Sequence, residues 1–377
     1  MMKILVTGAD GFIGKTLRMR AAEQGHTVVS FTREHIIDEL PALLVGVDAV
    51  IHLAGINRPQ TEGEFATGNT ELTQALCNAI AAQAKTTKVV NSSTRLPTLI
   101  LASSTQAEQD NAYGRSKLAA EQAVELLASQ HGVRAHIYRL PNVFGKWCKP
   151  NYNSVVATFC HNIAQDLPIQ INDSSKVLHL VYVDDVANGF LELLASDVDV
   201  CVQTIQPEYS MTLGQLAERI QAFKASRATG IIEPVGTGFD RALYSTYVSY
   251  LKPEQFSYPL VKHADPRGEF VEMLKTKDAG QFSYFTAYPG ITRGGHYHHT
   301  KTEKFLVIRG TALFKFRHMV TNERFEQTTS GDLPTAVETI PGWTHDITNV
   351  GTTEMIVMLW ANEIFDRQKP DTINRPL

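Results

Sequence analysis

Three sets of residues in this 377-residue chain have types and spacings that can do chemistry. Tyr113 and Lys117 stand four apart, so on a helix they share a face. An ammonium beside a phenol lowers its pKa from about 10 toward working pH and makes Tyr113 a general acid for a carbonyl oxygen. Gly8, Gly11 and Gly14, in Gly8-Ala9-Asp10-Gly11-Phe12-Ile13-Gly14, follow a β-type run and open a helical one. Glycines so placed let the backbone turn tightly and approach a pyrophosphate that faces the helix N-terminus. His296 and His298 stand two apart, so on a strand both point to one face while Tyr297 points out. Singly, each pattern more often marks a turn, a solvated helix face or an ordinary histidine. Their combination is what carries the reading.

The elements that must position these groups fall into two patterns. From Lys3 to about Gly145, β-type runs (KILVTG, TVVSF, AVIHLAG, TLILAS, RAHIYRL) alternate with helical ones around Phe12, Thr70–Ala84 and Tyr113–Ser129. That alternation is the sequence form of a doubly wound α/β parallel sheet. Further helices are expected over Asp184–Ser196 and Thr212–Ala225. After about Arg241 a Tyr- and Pro-rich stretch shows neither period, and beyond it short β-type runs such as EKFLVIRG, TALFKF and EMIVMLW indicate an all-β barrel or sandwich. The boundary is placed at 243/244, giving domains 1–243 and 244–377.

Composition bounds the partners. A net charge of −4 with scattered Lys and Arg gives no basic surplus for nucleic acid or an anionic membrane, and no apolar run approaches a bilayer span. The N-terminus lacks the features of a secretory signal. Cys77, Cys148, Cys160 and Cys201 show no CxxC pairing and read as reduced structural thiols. A cytoplasmic protein with a small-molecule partner is the expectation.

The TGxxGxxG turn, His52-Leu53-Ala54-Gly55, Ser103-Ser104-Thr105 and Tyr113-Gly114-Arg115-Ser116-Lys117 occur in the order and spacing of the extended short-chain dehydrogenase/reductase family. The first 240 or so residues resemble that family. The resemblance implies a Rossmann-type fold in which Gly8, Asp10, Gly11, Phe12, Ile13, Gly14, Leu53 and Ala54 line a nicotinamide dinucleotide. It also implies that Lys117 holds the nicotinamide ribose and that Thr105, with Ser104 as the alternative, bonds the substrate carbonyl. Where a carboxylate would accept the ribose of NAD, Phe31-Thr32-Arg33 stands instead. Thr32 and Arg33 suit a 2′-phosphate, so NADPH is the expected cofactor. Only seven residues separate Thr105 from Tyr113, a trimmed loop that leaves the substrate edge more open. Arg139-Leu140-Pro141-Asn142-Val143-Phe144-Gly145 is similar to a segment of nucleotide-sugar enzymes whose Asn contacts the diphosphate, a role carried to Asn142, with Asn153 as a second contact. Near the family's diphosphate-binding Arg, this chain offers Leu178 flanked by Lys176 and His179, and His179 is taken as the substrate residue.

Gly295-His296-Tyr297-His298-His299-Thr300-Lys301-Thr302-Glu303 and Pro341-Gly342-Trp343-Thr344-His345 resemble the two cupin motifs. The resemblance implies a jelly-roll domain in which His296, His298, Glu303 and His345 converge on one divalent metal. Zn, Ni, Mn and Fe all suit such donors, and zinc is the expectation. His299 competes for the metal but by alternation faces away from His298. The stretch from Asp265 to Glu272 resembles that of cupin-type deoxysugar epimerases, which implies that Arg267 binds the diphosphate.

Taken together, reductase then cupin resembles one bifunctional family of capsular polysaccharide and O-antigen synthesis acting on a UDP-2-acetamido-2,6-dideoxy-hexulose. It implies C3 epimerisation in the cupin, C4 reduction with NADPH in the N-terminal domain, UDP-N-acetyl-6-deoxy-L-talosamine as product, and a homodimer. The competing readings are reduction of another NDP-4-keto-deoxysugar beside a structural or dimerising cupin, a non-catalytic NADP(H)-sensing sugar-binding protein, and a metal-dependent oxygenase.

Overall fold

The computed structural model describes residues 1–61, 63–90, 96–196, 202–260, 262–265, 268–271, 275–276, 281–363 and 368–377. The chain forms two compact units: Met1–Ser154 with Leu178–Ser210, and Val155–Val177 with Met211–Leu377.

In the first unit β1 (Lys3–Thr7), β2 (Thr27–Phe31), β3 (Ala49–His52), β4 (Thr98–Ser104), β5 (Ala135–Leu140) and the short strand Val202–Gln203 form one parallel sheet. Their order is β2-β1-β3-β4-β5, then Val202–Gln203. The unbroken apolar runs of β1, β3 and β4 are buried because helices cover both faces. On one face Leu17 and Ala21 of α1 (Phe12–Glu23) and Val186, Ala187 and Phe190 of the helix Val183–Leu194 pack on Ile4, Val6, Ile51 and Ile100. On the other, Leu76 and Ile80 from the helix Leu72–Val90 and Ala120, Val124 and Leu127 from the helix Ala112–His131 pack on Leu5, Val50, Leu99 and Leu101. Chain order reverses between β1 and β3, and open sheets of this kind bind ligands in the crevice at the strand ends of such a point.

The second unit holds the helices Val155–Ala164, Leu213–Thr229 and Gly238–Val248 and an all-β region. The expected boundary at 243/244 falls inside the last of these, which packs on the other two. That helix shows no clear period in sequence because seven consecutive residues, Ala242 to Val248, are buried, leaving no polar stripe.

Two five-stranded sheets make up the β region. One runs Ser257–Pro259, Thr335–Glu338, Glu303–Arg309, Met355–Ala361, Gln281–Ala287; the other Arg324–Ser330, Thr311–His318, Trp343–Asn349, Thr292–Tyr297, Ile373–Asn374. Every pairing within them is antiparallel, giving an all-β, cupin-like architecture. Within this unit Glu338 accepts from both Lys304 Nζ (2.7 Å) and Arg227, and Lys304 also donates to the Tyr258 hydroxyl at 2.8 Å. Burial opposes the charge on Glu338, yet Arg227 and Lys304 hold its carboxyl below the ordinary value.

Candidate functional site

The glycine turn is built as a cradle. Gly8 has φ +66°, and a Cβ there would stand 2.8 Å from Ala54 N; one on Gly14 would collide with Gly8 O. Only glycine lets β1, α1 and the Leu53-Ala54 backbone approach this closely. Gly11 caps α1, so Phe12 and Ile13, both half-buried, present the first free N–H groups of the helix. Asp10 lies exposed and pairs with Arg18 at 2.6 Å. Thr7 Oγ1 accepts from Leu53 N and Ala54 N at 3.2 and 3.1 Å and bonds His52 Nδ1 at 2.6 Å. His52 Nε2 meets Thr73 Oγ1 at 2.9 Å, and burial followed by the Lys117 charge lowers its pKa to about 3, so this imidazole is neutral. Thr32, half-buried at the end of β2, bonds His35 Nδ1 through its N–H (3.2 Å) and Oγ1 (3.1 Å), and Arg33 is exposed beside it. These residues fit a dinucleotide: a backbone concavity, free helix N–H groups and an exposed guanidinium.

The helix Ala112–His131 starts where Asn111 Oδ1 accepts from Gly114 N at 2.8 Å and ends on Gly132, with φ +67°. Its buried face sets the phase that turns Tyr113 and Lys117 toward the ends of β3 and β4. Lys117 Nζ donates to Ala102 O at 3.1 Å, and burial, opposed by the Glu121 charge, lowers its pKa to about 8. Tyr113 packs on Phe65, with ring centroids 5.5 Å apart. Its phenol differs from the sequence expectation: burial raises its pKa, and the opposing influence is a hydrogen bond from the Ser104 side chain rather than the Lys117 charge. Thr105 comes next in the chain. It is exposed at the head of the turn Thr105–Glu108, whereas Ser104, the last residue of β4, is buried and accepts Gln106 N at 3.1 Å. Ser104 is the hydroxyl aimed at the phenol.

Asn142 is exposed and donates Nδ2–H to His179 O at 3.2 Å, on paired strands Asn142–Phe144 and Val177–Tyr182. Exposed His179 pairs through Nδ1 with Glu208 at 2.9 Å, and Asn153 is exposed in a turn. Leu178 is buried in the core and Lys176 is exposed. Arg267 and Cys201 lie outside the described residues.

In the β region His296 and His345 face each other across an antiparallel pair whose register shifts between Gly294 and His296. Gly294 (φ +98°) and Gly295 (φ +78°) form this bulge, which re-aims the strand so that His296 enters the cavity. His298 follows the strand end, and Glu303 opens a strand of the facing sheet. One donor atom from each of His296, His298, Glu303 and His345 lies within 4.8 Å of all the others. Glu303 Oε2 is 3.2 Å from His298 Nε2 and 3.5 Å from His345 Nε2, and Lys301 Nζ meets Glu303 Oε1 at 2.7 Å. Both ring nitrogens of His345 are buried without a hydrogen-bond partner. Tetrahedral zinc with ligands at about 2.0–2.2 Å sets them about 3.4 Å apart. A contraction of the cluster would give these four donors the spacing of an ion's ligands, and the buried His345 nitrogens are groups that an ion would satisfy. The cluster opens on a cavity of about 420 Å³ walled by Phe285, Phe305, Phe314, Ile347 and Leu359, with Arg293 also on its lining. Burial and the imidazoles of His345 and His298 lower the His296 pKa to about 3. His299 stays out of the set, its ring 5.3 Å from that of Tyr297. Tyr297, expected to point outward, faces away from the cluster but is buried, because the chain packs on both sides of its strand.

Sequence reasoning missed Asp371, whose backbone carbonyl accepts from His298 Nδ1 and whose carboxylate bonds the backbone of 299–301. No motif links it to a histidine 73 residues away.

Residues 4–202 match the NAD dependent epimerase/dehydratase family, and 263–373 match the polysaccharide biosynthesis C-terminal domain. The chain is 54% identical over 373 residues, 98% of each protein, to a UDP-2-acetamido-2,6-beta-L-arabino-hexul-4-ose reductase of Pseudomonas aeruginosa. It superposes over 100% of both chains, at 39% identity and TM-score 0.63, on the capsular polysaccharide assembling protein CapF from Staphylococcus aureus. The Bordetella bronchiseptica enzyme WbmF in complex with NADH, 19% identical with TM-score 0.55 over 65% of this chain and 90% of that one, shares the fold. A glycine cradle, a Tyr113–Lys117 helix face and a family match across more than half of its length agree: the chain belongs to the NAD dependent epimerase/dehydratase family.

Proposed function

We propose that the chain reduces the C4 ketone of a UDP-2-acetamido-2,6-dideoxy-hexulose with NADPH, after its C-terminal region has inverted C3 of the same sugar. The product is UDP-N-acetyl-6-deoxy-L-talosamine, on the route to UDP-N-acetyl-L-fucosamine for capsule or O-antigen. The observation that carries the reductase is a helix bearing Tyr113 and Lys117 four apart, with Ser104 bonding the phenol, in a chain so close, end to end, to a reductase of such a sugar. The protein acts as a homodimer, with 1–243 and 244–377 as its catalytic parts.

Tyr113 gives its phenolic proton to the C4 oxygen, and its raised pKa keeps that proton in place at neutral pH. Ser104 orients the carbonyl oxygen and the phenol. Lys117, charged below about pH 8, anchors the ribose. The glycine cradle binds the pyrophosphate, and Thr32 and Arg33 recognise the 2′-phosphate. Bound NADPH supplies the hydride. Asn142, Asn153 and His179 hold the nucleotide and sugar, and in the C-terminal region Arg267 binds the diphosphate.

In the second region His296, His298, Glu303 and His345 would hold a divalent ion, zinc foremost, which when bound supplies a Lewis acid for the ketone. The aromatic and aliphatic walls exclude water, which strengthens electrostatic stabilisation of an enolate formed by removing the C3 proton. The test is NMR of the product made from the UDP-keto-sugar with NADPH in deuterated water. Solvent deuterium at C3 and the L-talo configuration at C4 are expected, and a product lacking deuterium at C3 overturns the epimerase.

A further inference from the structure

We propose that the C-terminal segment Asp371–Pro376 is a strap that positions the metal-ligating imidazoles, with Asp371 as its anchor. The inference rests on the metal reading above and adds to it the residues that make the site rigid. His298 lies just past the end of the strand Thr292–Tyr297, where the ladder no longer uses the backbone N–H groups of the next residues. Asp371 supplies the missing acceptors. Its carboxylate takes His299 N at 2.9 Å, Thr300 N at 2.6 Å, Lys301 N at 2.7 Å and Thr300 Oγ1 at 3.0 Å. Four donors on one carboxylate shape the turn between His298 and Glu303.

The same residue fixes the ring. The Asp371 carbonyl accepts the His298 Nδ1 proton, which leaves Nε2 as the donor atom facing Glu303. A ligating histidine whose other nitrogen is held this way has its tautomer and ring plane decided before the ion arrives. The rest of the segment holds the other ligand strand. Ile373 pairs with Tyr297 and Asn374 with His296, while Arg375 N donates to Gly295 O at 2.7 Å, beside the bulge that aims His296. Thr344, next to the ligand His345, donates its hydroxyl to Arg375 O. The strap thus engages the backbone or side chain of each residue from Gly295 to Lys301, and it reaches the neighbour of the third imidazole.

The test is zinc titration of the metal-stripped full-length protein in competition with a chromophoric chelator, alongside the thermal midpoint of the metal-free form. Wild type is expected to bind one zinc per chain and His296→Ala to lose it; failure here overturns the metal reading and the strap with it. Asp371→Ala is expected to weaken zinc about 10- to 100-fold, the usual cost of losing a partner of a metal ligand. Asp371→Asn, which keeps one acceptor oxygen, should fall between the two. A merely structural Asp371 would lower the metal-free midpoint and leave zinc affinity within about twofold of wild type, overturning the strap. If Asp371→Ala does not fold, Asp371→Asn takes its place. A several-fold weakening is expected, and unchanged affinity overturns the proposal.

Discussion

The reductase site and the imidazole cluster solve the problem of buried polar groups in opposite ways. Around Tyr113 the protein supplies its own partners: Lys117 has the Ala102 carbonyl, the phenol has Ser104, and His52 sits between two threonine hydroxyls. Around His345 it supplies less: Nε2 faces the Glu303 carboxylate at 3.5 Å, and neither buried ring nitrogen makes a hydrogen bond of ordinary geometry. Unpaired buried polar atoms cost about 1–3 kcal/mol each. The first site is therefore complete as protein, whereas the second leaves buried lone pairs that a bound ion would satisfy.

Substitutions can break or sharpen that contrast. The largest effect is expected from Tyr113→Phe, which should cut NADPH-dependent reduction about 10²- to 10⁴-fold while cofactor binding, followed by fluorescence, stays near wild type. Retained turnover would remove the phenol from the mechanism. Glu303→Ala should leave most of the protein metal-free by elemental analysis and abolish deuterium entry at C3, whereas Tyr113→Phe should leave that exchange intact. Equal loss of exchange in both variants would mean that one site does both reactions. Ser104→Ala should lower kcat about 10- to 100-fold, in line with a lost hydrogen bond of about 1.5–3 kcal/mol, against a change within about twofold for Thr105→Ala. The reverse order would restore Thr105. With Lys117 titrating near 8, its charge is present below that pH and lost above it, so kcat/KM should fall about tenfold per pH unit on the alkaline side. Lys117→Arg should remove that limb; a limb that persists belongs to another group. The smallest effect is expected from Arg33→Ala, a several-fold loss of preference for NADPH over NADH in kcat/KM.

The reductase site was the more legible because its parts are local. A glycine turn between a strand and a helix, and two side chains four apart, need only the helix and strand periods to be placed. What remained hidden was phase at a strand end: nothing in Ser103-Ser104-Thr105 says where β4 stops, and that decides which hydroxyl faces the phenol. In the β region the four donors were readable from two motifs, but what aims them was not. Asp371 acts on backbone 70 residues or more away, and the Gly294-Gly295 bulge exists only in the pairing with the His345 strand. The helix Gly238–Val248 escaped for a third reason, since burial on every side erases the polar stripe by which a helix is seen.

The Arg227–Glu338–Lys304 triad has a consequence for anyone dividing the gene. The two family matches end and begin at 202 and 263, which invites a cut between them. Arg227, however, comes from the helix Leu213–Thr229, on the far side of any cut at 243/244, and a β fragment made that way would carry one Glu338 oxygen without its guanidinium. Removing one member of such a buried set costs about 3–5 kcal/mol. The modules recognisable as inherited pieces are thus not the pieces that would fold alone, and a β fragment meant for separate expression should begin before Met211 and bring Val155–Val177 with it.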